Sequence, residues 1–439
     1  MSADVDELLS LADRLLLEAG AEGAEVRAVA HRSGLTRFAR NQIHQNVAEE
    51  QVSLRLRLVR DGRVGVAATR GQTDIARLVE AADAARLRSP AAEVAPLPSP
   101  QEETPVAAAF ADSTAAATPE WRADQVAVIA AAASAAGIES FGALETAATA
   151  TCVVNGRGLR RHARTTSVRL STVCRGADGG GYADRCAADI ENIDSAGCAG
   201  EVVTTTLRNQ AAMSLEPGIL PVVLAPYAIA ELVGHLSDMG FSALAAQEQR
   251  SFMRPGERLV AIPISISDDA TASEGMPFPF DDEGVTARPV TCIERGVCRD
   301  HLHDSATALR AGVGSTGHAL PMPNTWGPYG RHLVMAPGTA SLEEMISSCE
   351  RGLLVTRFWY VRNVHVLRTT ITGMTREGTF LIENGRIVRP VRDLRFTQSI
   401  IDALNDVRAV GRERSLHVEE GGRALLVPAL HLGHFEFTS

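Results

Sequence analysis

From Val52 to Leu58 the chain alternates apolar Val52, Leu54, Leu56 and Leu58 with polar Ser53, Arg55 and Arg57. A period of two puts one set of side chains on each face of an extended strand, so the segment predicts a half-buried strand. Asp61-Gly62 follows as a hairpin turn, and Val64 and Val66 carry the pattern back. An antiparallel sheet near the N-terminus is the consequence. Helical patterns flank it. Val5, Leu8, Leu9, Ala12, Leu15 and Leu16 recur at helical spacing behind a capping-box-like Asp4 and Glu7, up to Gly20. Asp74 predicts the cap of a second helix with Ile75, Leu78, Val79, Ala82 and Ala85 on one face.

A chain of 439 residues is too long for one ordinary core. The patterns divide it into a small helix and antiparallel-sheet domain at 1–88, a linker at 89–118, a central helix and β-meander at 119–220, and a larger β-rich domain at 221–439. The class is α+β. Pro90, Pro96, Pro98, Pro100 and Pro105 make the linker extended. Further on, a helix runs from Pro119 to Ala136, and a β-rich pattern from Ile138 to Leu207 turns at Asn155-Gly156. Pro221 to Leu224 reads as a short buried strand leading into a helix from Pro226 to about Met239. Helices are expected near Leu342–Ser348 and Ser399–Val410, amid strands.

Several function classes drop out on composition. All 43 basic residues are arginine, so a phosphate-binding P-loop lysine, a lysine Schiff base and a lysine general base are impossible. A net charge of −10 argues against direct nucleic-acid binding. The seven cysteines, at 152, 174, 186, 198, 292, 298 and 349, are odd in number and never spaced CxxC, which fits reduced thiols in a cytoplasmic protein. The stretch Met1–Leu17 is broken by charges and does not read as a signal peptide, and no run approaches the ~18 apolar residues of a membrane span. With 4% aromatic residues, the core is built from Ala, Val, Leu and Ile.

Four segments bear chemistry. Ala230-Glu231-Leu232-Val233-Gly234-His235 puts a Glu and a His four apart on an Ala-rich helix, which equally fits an ordinary salt-bridging face. Gly312-Val313-Gly314-Ser315-Thr316-Gly317 spells GxGxxG, but Pro321 and Pro323 follow it and no helix starts there. Cys298, His301 and His303 form a local cluster whose HxH would project both rings to one face of a strand and hold a metal; a solvated strand near a turn fits as well. Asp281, Asp282 and Glu283 are adjacent acids able to raise one another's pKa, or else a solvated turn.

Taken in order along the chain, several segments resemble the TldD/PmbA family of metallopeptidase subunits. They are Arg55–Ala68 with the Asp74–Arg88 helix, Val154-Asn155-Gly156-x-Gly158, Asp281–Gly284 followed by Gly314–Gly317, Thr372-Gly373-Met374-Thr375-Arg376, Phe380–Gly385 and Leu394–Thr397. In the family's catalytic subunits the helix motif looks like His-Glu-x-x-x-His: the histidines bind zinc and the Glu acts as general base. Five residues turn an ideal helix by about 500°, so the two histidines share a face only if the helix is distorted. Here Ala230 stands in place of the first histidine. The family's late Gly-x-Cys ligand is also missing, since residues 419–430 hold no cysteine.

The resemblance therefore implies a metal-less TldE/PmbA-like subunit with no cofactor of its own. It implies zinc in a TldD-like partner, assembly as a heterodimer or a homodimer, and a peptide substrate cut inside a shared chamber. Glu231 and His235 remain as relics of the motif, and Asp281, Asp282, Glu283, Thr316 and Arg376 become candidates for chamber wall or substrate contact. Two alternatives stay open: a stand-alone peptide-binding or regulatory protein reusing the fold, and a peptidase with its metal relocated to Cys298, His301 and His303. No membrane role is implied.

Overall fold

The computed structural model describes residues 5–71, 74–103, 106, 109–419 and 421–439. Asp4 of the expected capping box and Pro105 lie outside them. The first part is one six-stranded antiparallel sheet in the order β3-β2-β1-β4-β5-β6. Its strands are β1 (Ala24–Ala39), β2 (Gln42–Arg60), β3 (Arg63–Arg70), β4 (Glu139–Asn155), β5 (Arg160–Arg175) and β6 (Gly180–Ala187). The β1–β4 pairing runs from Glu25↔Asn155 to Ala39↔Phe141, joining the segments on either side of 89–118 into one sheet.

One face of this sheet is covered by helices, as the alternation demands. Leu54, Leu56 and Leu58 are buried with Val26 and Ala28 beneath α1 (Val5–Glu18) and α2 (Ile75–Arg88). Farther along, Leu144, Val168 and Leu170 pack against α4 (Pro119–Ala135) and α5 (Ser195–Arg208), while α3 (Asp112–Ala115) is a single turn. The 138–207 segment, whose pattern reads as β-rich, thus ends in a helix. Asp194 caps it, its carboxylate accepting from Gly197 N, but Gly and Thr dilute the apolar stripe that would have announced it. Residues 90–103 form neither helix nor strand. They lie against the β4–β5 end, where Asn155 donates to Pro98 O and Arg157 to Leu97 O.

The other face is not wet. Register places Glu25, Arg27, Arg55, Arg57, Val153 and Arg161 together on it, and it packs on the second half of the chain. Arg27 and Arg331 both pair with Asp282, Arg55 donates to Met322 O, Arg57 pairs with Glu283, and Arg161 donates to Thr286 Oγ1. The polar side of the alternation is therefore a row of arginines that joins two sheets.

That second sheet contains eleven strands: β7 (Gly218–Leu224), β8 (Ile266–Asp268), β9 (Val290–Glu294), β10 (Val297–Cys298), β11 (His332–Met335), β12 (Arg351–His365), β13 (Thr370–Glu383), β14 (Arg386–Pro390), β15 (Arg395–Ser399), β16 (Val407–Val418) and β17 (Ala424–Phe437). Because β17 pairs with β7 as well as β15, the strands β17, β15, β13, β12 and β7 close on themselves. Phe358, Phe396, Phe435 and Phe437 fill the interior, with successive ring centroids 4.5–5.5 Å apart. Around this sheet lie α6 (Pro226–Leu236), α7 (Ala243–Gln247), α8 (Ser305–Ala311), α9 (Leu342–Ser347) and α10 (Ile400–Asn405). The helix expected to reach Val410 stops at Asn405. Val407 starts β16 instead, where pairing with β17 overrides local propensity. The architecture is α+β, with a smaller N-terminal sheet unit and a larger sheet-rich C-terminal one. No helix among the described residues is long and apolar enough to cross a membrane.

At the joint, Arg57 Nη1 lies 2.9 Å from Glu283 Oε1 and 3.5 Å from Glu25 Oε1, all three side chains buried. Two carboxylates thus share one guanidinium. Burial raises the Glu25 pKa from 4.5 to about 7, Glu283 adding to the rise and Arg57 opposing it. A folded pKa above the unfolded one contributes stability that is present below pH 4.5 and lost as pH climbs through about 7. Glu25→Gln removes that slope. Urea midpoints should show it more stable than the parent by about 1–3 kcal/mol at pH 8, with the gap closing toward pH 5.

Candidate functional site

Helix α6 starts with Pro226 at its first position and is sheathed in apolar contacts: Ala228, Ile229, Ala230, Leu232, Val233 and Leu236 are all buried. What remains is a polar stripe at Tyr227, Glu231 and His235, four residues apart and therefore on one face. Asp238 continues it in the π-helical turn Ser237–Phe241. The irregularity thus follows His235; the helix is regular from 230 to 235. Ala230, part of the hydrophobic core, points away from the Glu231–His235 face.

The stripe faces two other elements. From β12, Asn363 Oδ1 sits 2.7 Å from His235 Nδ1, and Arg357 and Arg362 stand near Glu231. From the β16–β17 hairpin, the Glu419 carboxylate lies directly over Gly234; a Cβ there would meet Glu419 Oε1 at 2.5 Å, so a larger residue would push that carboxylate aside. Arg423 is the centre of the group. Its side chain is 3% exposed and clamped by two acids. Nη1 donates to Asp238 Oδ1 at 2.7 Å, and Nη2 and Nε donate to Glu419 Oε2 at 2.7 and 3.0 Å. The guanidinium also stacks over Tyr329, 4.8 Å from the ring centroid.

Although the Glu231 side chain opens to solvent, it lies deep enough in the cleft that burial raises its pKa to about 7, with Glu419 pushing the same way and Arg357, Arg423 and Arg362 opposing. Burial lowers the His235 pKa, so its imidazole is neutral at pH 7. Glu231 Oε2 and His235 Nε2 are 3.9 Å apart.

These residues do not fit a catalytic zinc ion, which takes three protein ligands and keeps one place for water. Ala230 offers a methyl group to the core, and Glu419 and Asp238 are committed to Arg423. Among the described residues, no group of three or more His, Cys, Asp and Glu is gathered closely enough to hold a metal. Cys298, His301 and His303 are no exception. Cys298 is fully buried, and the two histidines flank a single bridge between Leu302 and Ser242, not a strand.

The remaining candidates have structural partners. Asp281, Asp282 and Glu283 are buried, not a solvated turn. Asp281 Oδ1 accepts from Glu283 N and Val285 N, and Oδ2 from Ala319 N; Gly284 completes the turn at φ +79°. Asp282 and Glu283 receive the arginines of the joint. Thr316 Oγ1 donates to His303 O at 3.0 Å and contacts His318 Nδ1 at 2.9 Å. Arg376, on β13 opposite Arg357, lies over the Trp359 ring at 4.8 Å and so lines the same wall as the cleft. Gly312 caps α8 in the left-handed conformation, and no strand precedes the GxGxxG segment. Arg423, Asp238 and Asn363 were missed from sequence. The only local signal was the Glu419/Arg423 pair four apart at a hairpin tip.

The fold and this cleft define an α+β protein in which a helix-borne Glu/His pair is enclosed by a strand wall and a hairpin. Comparison with known proteins gives the family. The PmbA/TldA metallopeptidase C-terminal domain matches residues 217–439, and PmbA/TldA metallopeptidase domain 1 matches residues 24–87. The chain belongs to the TldD/PmbA family of metallopeptidases. It is 27% identical over 234 residues to the metalloprotease TldD homologue of Haemophilus influenzae, spanning 50% of this chain and 46% of that one. Against metalloprotease PmbA of Escherichia coli O157:H7 the figures are 27% over 198 residues, 44% and 41%. The matches thus span about half the length of these curated relatives or less. The crystal structure of TldE from Thermococcus kodakarensis superposes with a TM-score of 0.87 at 20% identity, covering 99% of each chain, which establishes the shared fold.

Proposed function

We propose that this chain is a non-catalytic, TldE/PmbA-like subunit that completes the peptide chamber of a zinc-bearing TldD-like partner. The observation that carries the reading is Arg423. A buried guanidinium, held by Asp238 and Glu419 beside Glu231 and His235, uses the acids that would otherwise be free to bind a cation. Ala230 in the core removes a further donor. In this role the cleft binds and positions and does not activate water. Glu231, with its pKa near 7, holds or releases a proton according to its neighbours, and Arg357, Arg362 and Arg376 present cationic, stacking side chains to a peptide. Asp281, Asp282 and Glu283 support the chamber wall from behind by fixing the two sheets together.

The test is metal content by elemental analysis, with cleavage of an unfolded peptide, for the chain alone and co-expressed with a TldD-like partner. Zinc and cleavage are expected only in the co-expressed sample. Stoichiometric zinc with cleavage by the lone chain would overturn the reading. A stable homodimer, inert as a protease in both samples but binding peptide, would favour a stand-alone binding protein.

A further inference from the structure

Arg57, Arg161, Arg185, Arg331 and Arg423 each meet a carboxylate. Three others, Arg208 and Arg386 exposed and Arg389 half-buried, line one recess of about 480 Å³: Arg208 from the last turn of α5, and Arg386 and Arg389 from the edge strand β14. Among the described residues none of the three guanidiniums has a carboxylate or hydrogen-bond partner. Glu383 stands opposite Arg386 in the β13–β14 register, yet forms no ion pair with it. Arg389 Nη1 is shut off from solvent and unpartnered. A shielded cationic donor left so gains free energy by meeting an acceptor.

We propose that this recess is a binding site for a phosphate monoester. Guanidinium forks match the geometry of phosphate oxygens, and three lining one recess suit a dianion with three free oxygens better than a carboxylate with two. Phe380, Ile387 and Ile346 form the rest of the wall, an apolar surface on which the organic part of the ester lies. The cleft of Glu231 and His235 takes no part, so the site stands or falls apart from the peptidase reading.

Calorimetric titration of the full chain with inorganic phosphate and with a nucleoside monophosphate tests the proposal, with benzoate as the carboxylate control. The monophosphate should bind more tightly than phosphate alone, and benzoate should not compete. Arg389→Gln should weaken the monophosphate by at least about tenfold; Arg386→Gln/Arg389→Gln should abolish binding. Both positions are on an exposed edge strand and lack partners, so an unchanged melting temperature will show that the variants fold. Phosphate and monophosphate binding equally would overturn the organic-ester assignment, and benzoate binding as well as either would overturn the phosphate one. Failure of both phosphates to bind at millimolar concentration, or binding that survives the double variant, would overturn the site.

Discussion

Replacing Arg57 by alanine should destabilise the protein by about 3–5 kcal/mol, the range seen when one partner of a buried ion pair is removed. Arg57 is 6% exposed and answers carboxylates from both halves of the chain, Glu25 on β1 and Glu283 from the turn after Phe280. Without it those two acids face one another with no counter-ion, and Glu25, whose pKa is already about 7, must rise further or remain charged and unpaired. Loss of stability should therefore be greatest at pH 8 and shrink toward pH 5. Chemical denaturation followed by fluorescence and circular dichroism gives the measurement. The double variant Glu25→Gln/Arg57→Ala should be more stable than Arg57→Ala alone at pH 8, because it removes one of the stranded charges. A single-variant loss under 1 kcal/mol would mean that the joint is held by its other arginines and that Arg57 adds nothing.

The contrast between what was legible and what was not follows the range of each interaction. Alternation at 52–58 announced β2 because burial on one face acts residue by residue, and Asp61-Gly62 announced the turn because a hairpin is local. The opposite face was misjudged, since its arginines find their acids 226 residues away, at Glu283, and nothing near Arg57 in sequence encodes that. Asp281–Glu283 stays open in the sequence between mutually coupled acids and a solvated turn, because neither their burial nor the arginines they meet is encoded nearby. Helix α5 was lost to dilution, and the strand after α10 was read as helix because the pairing that decides it, with β17, closes only when the last residues arrive. At the cleft, Glu231 and His235 were visible through motif and spacing. Arg423 was invisible because its importance lies in where the hairpin lands, over Gly234.

That landing makes Arg423 the second residue whose loss should be large. Arg423→Met keeps much of the side-chain volume but leaves Asp238 and Glu419 side by side, and truncating one member of such a hydrogen-bonded charge cluster costs about 2–5 kcal/mol. The lower half of that range is expected, since Asp238 and Glu419 are 31% and 36% exposed and water relieves part of their repulsion. Burial already raises the Glu419 pKa, with Arg423 as the main opposing charge. Removing Arg423 raises it further, so the variant's deficit should be small where Glu419 is protonated and grow as rising pH ionises it. Arg423→Lys separates charge from geometry: an ammonium is a single point with three donors and cannot span both carboxylates in one plane, so it should recover less than half of the loss. Thermal melts of the three proteins at pH 5 and pH 8 decide it. Full recovery by lysine would show that any positive charge suffices there; a deficit independent of pH would show that Arg423 acts by packing on Tyr329 and not by holding two acids.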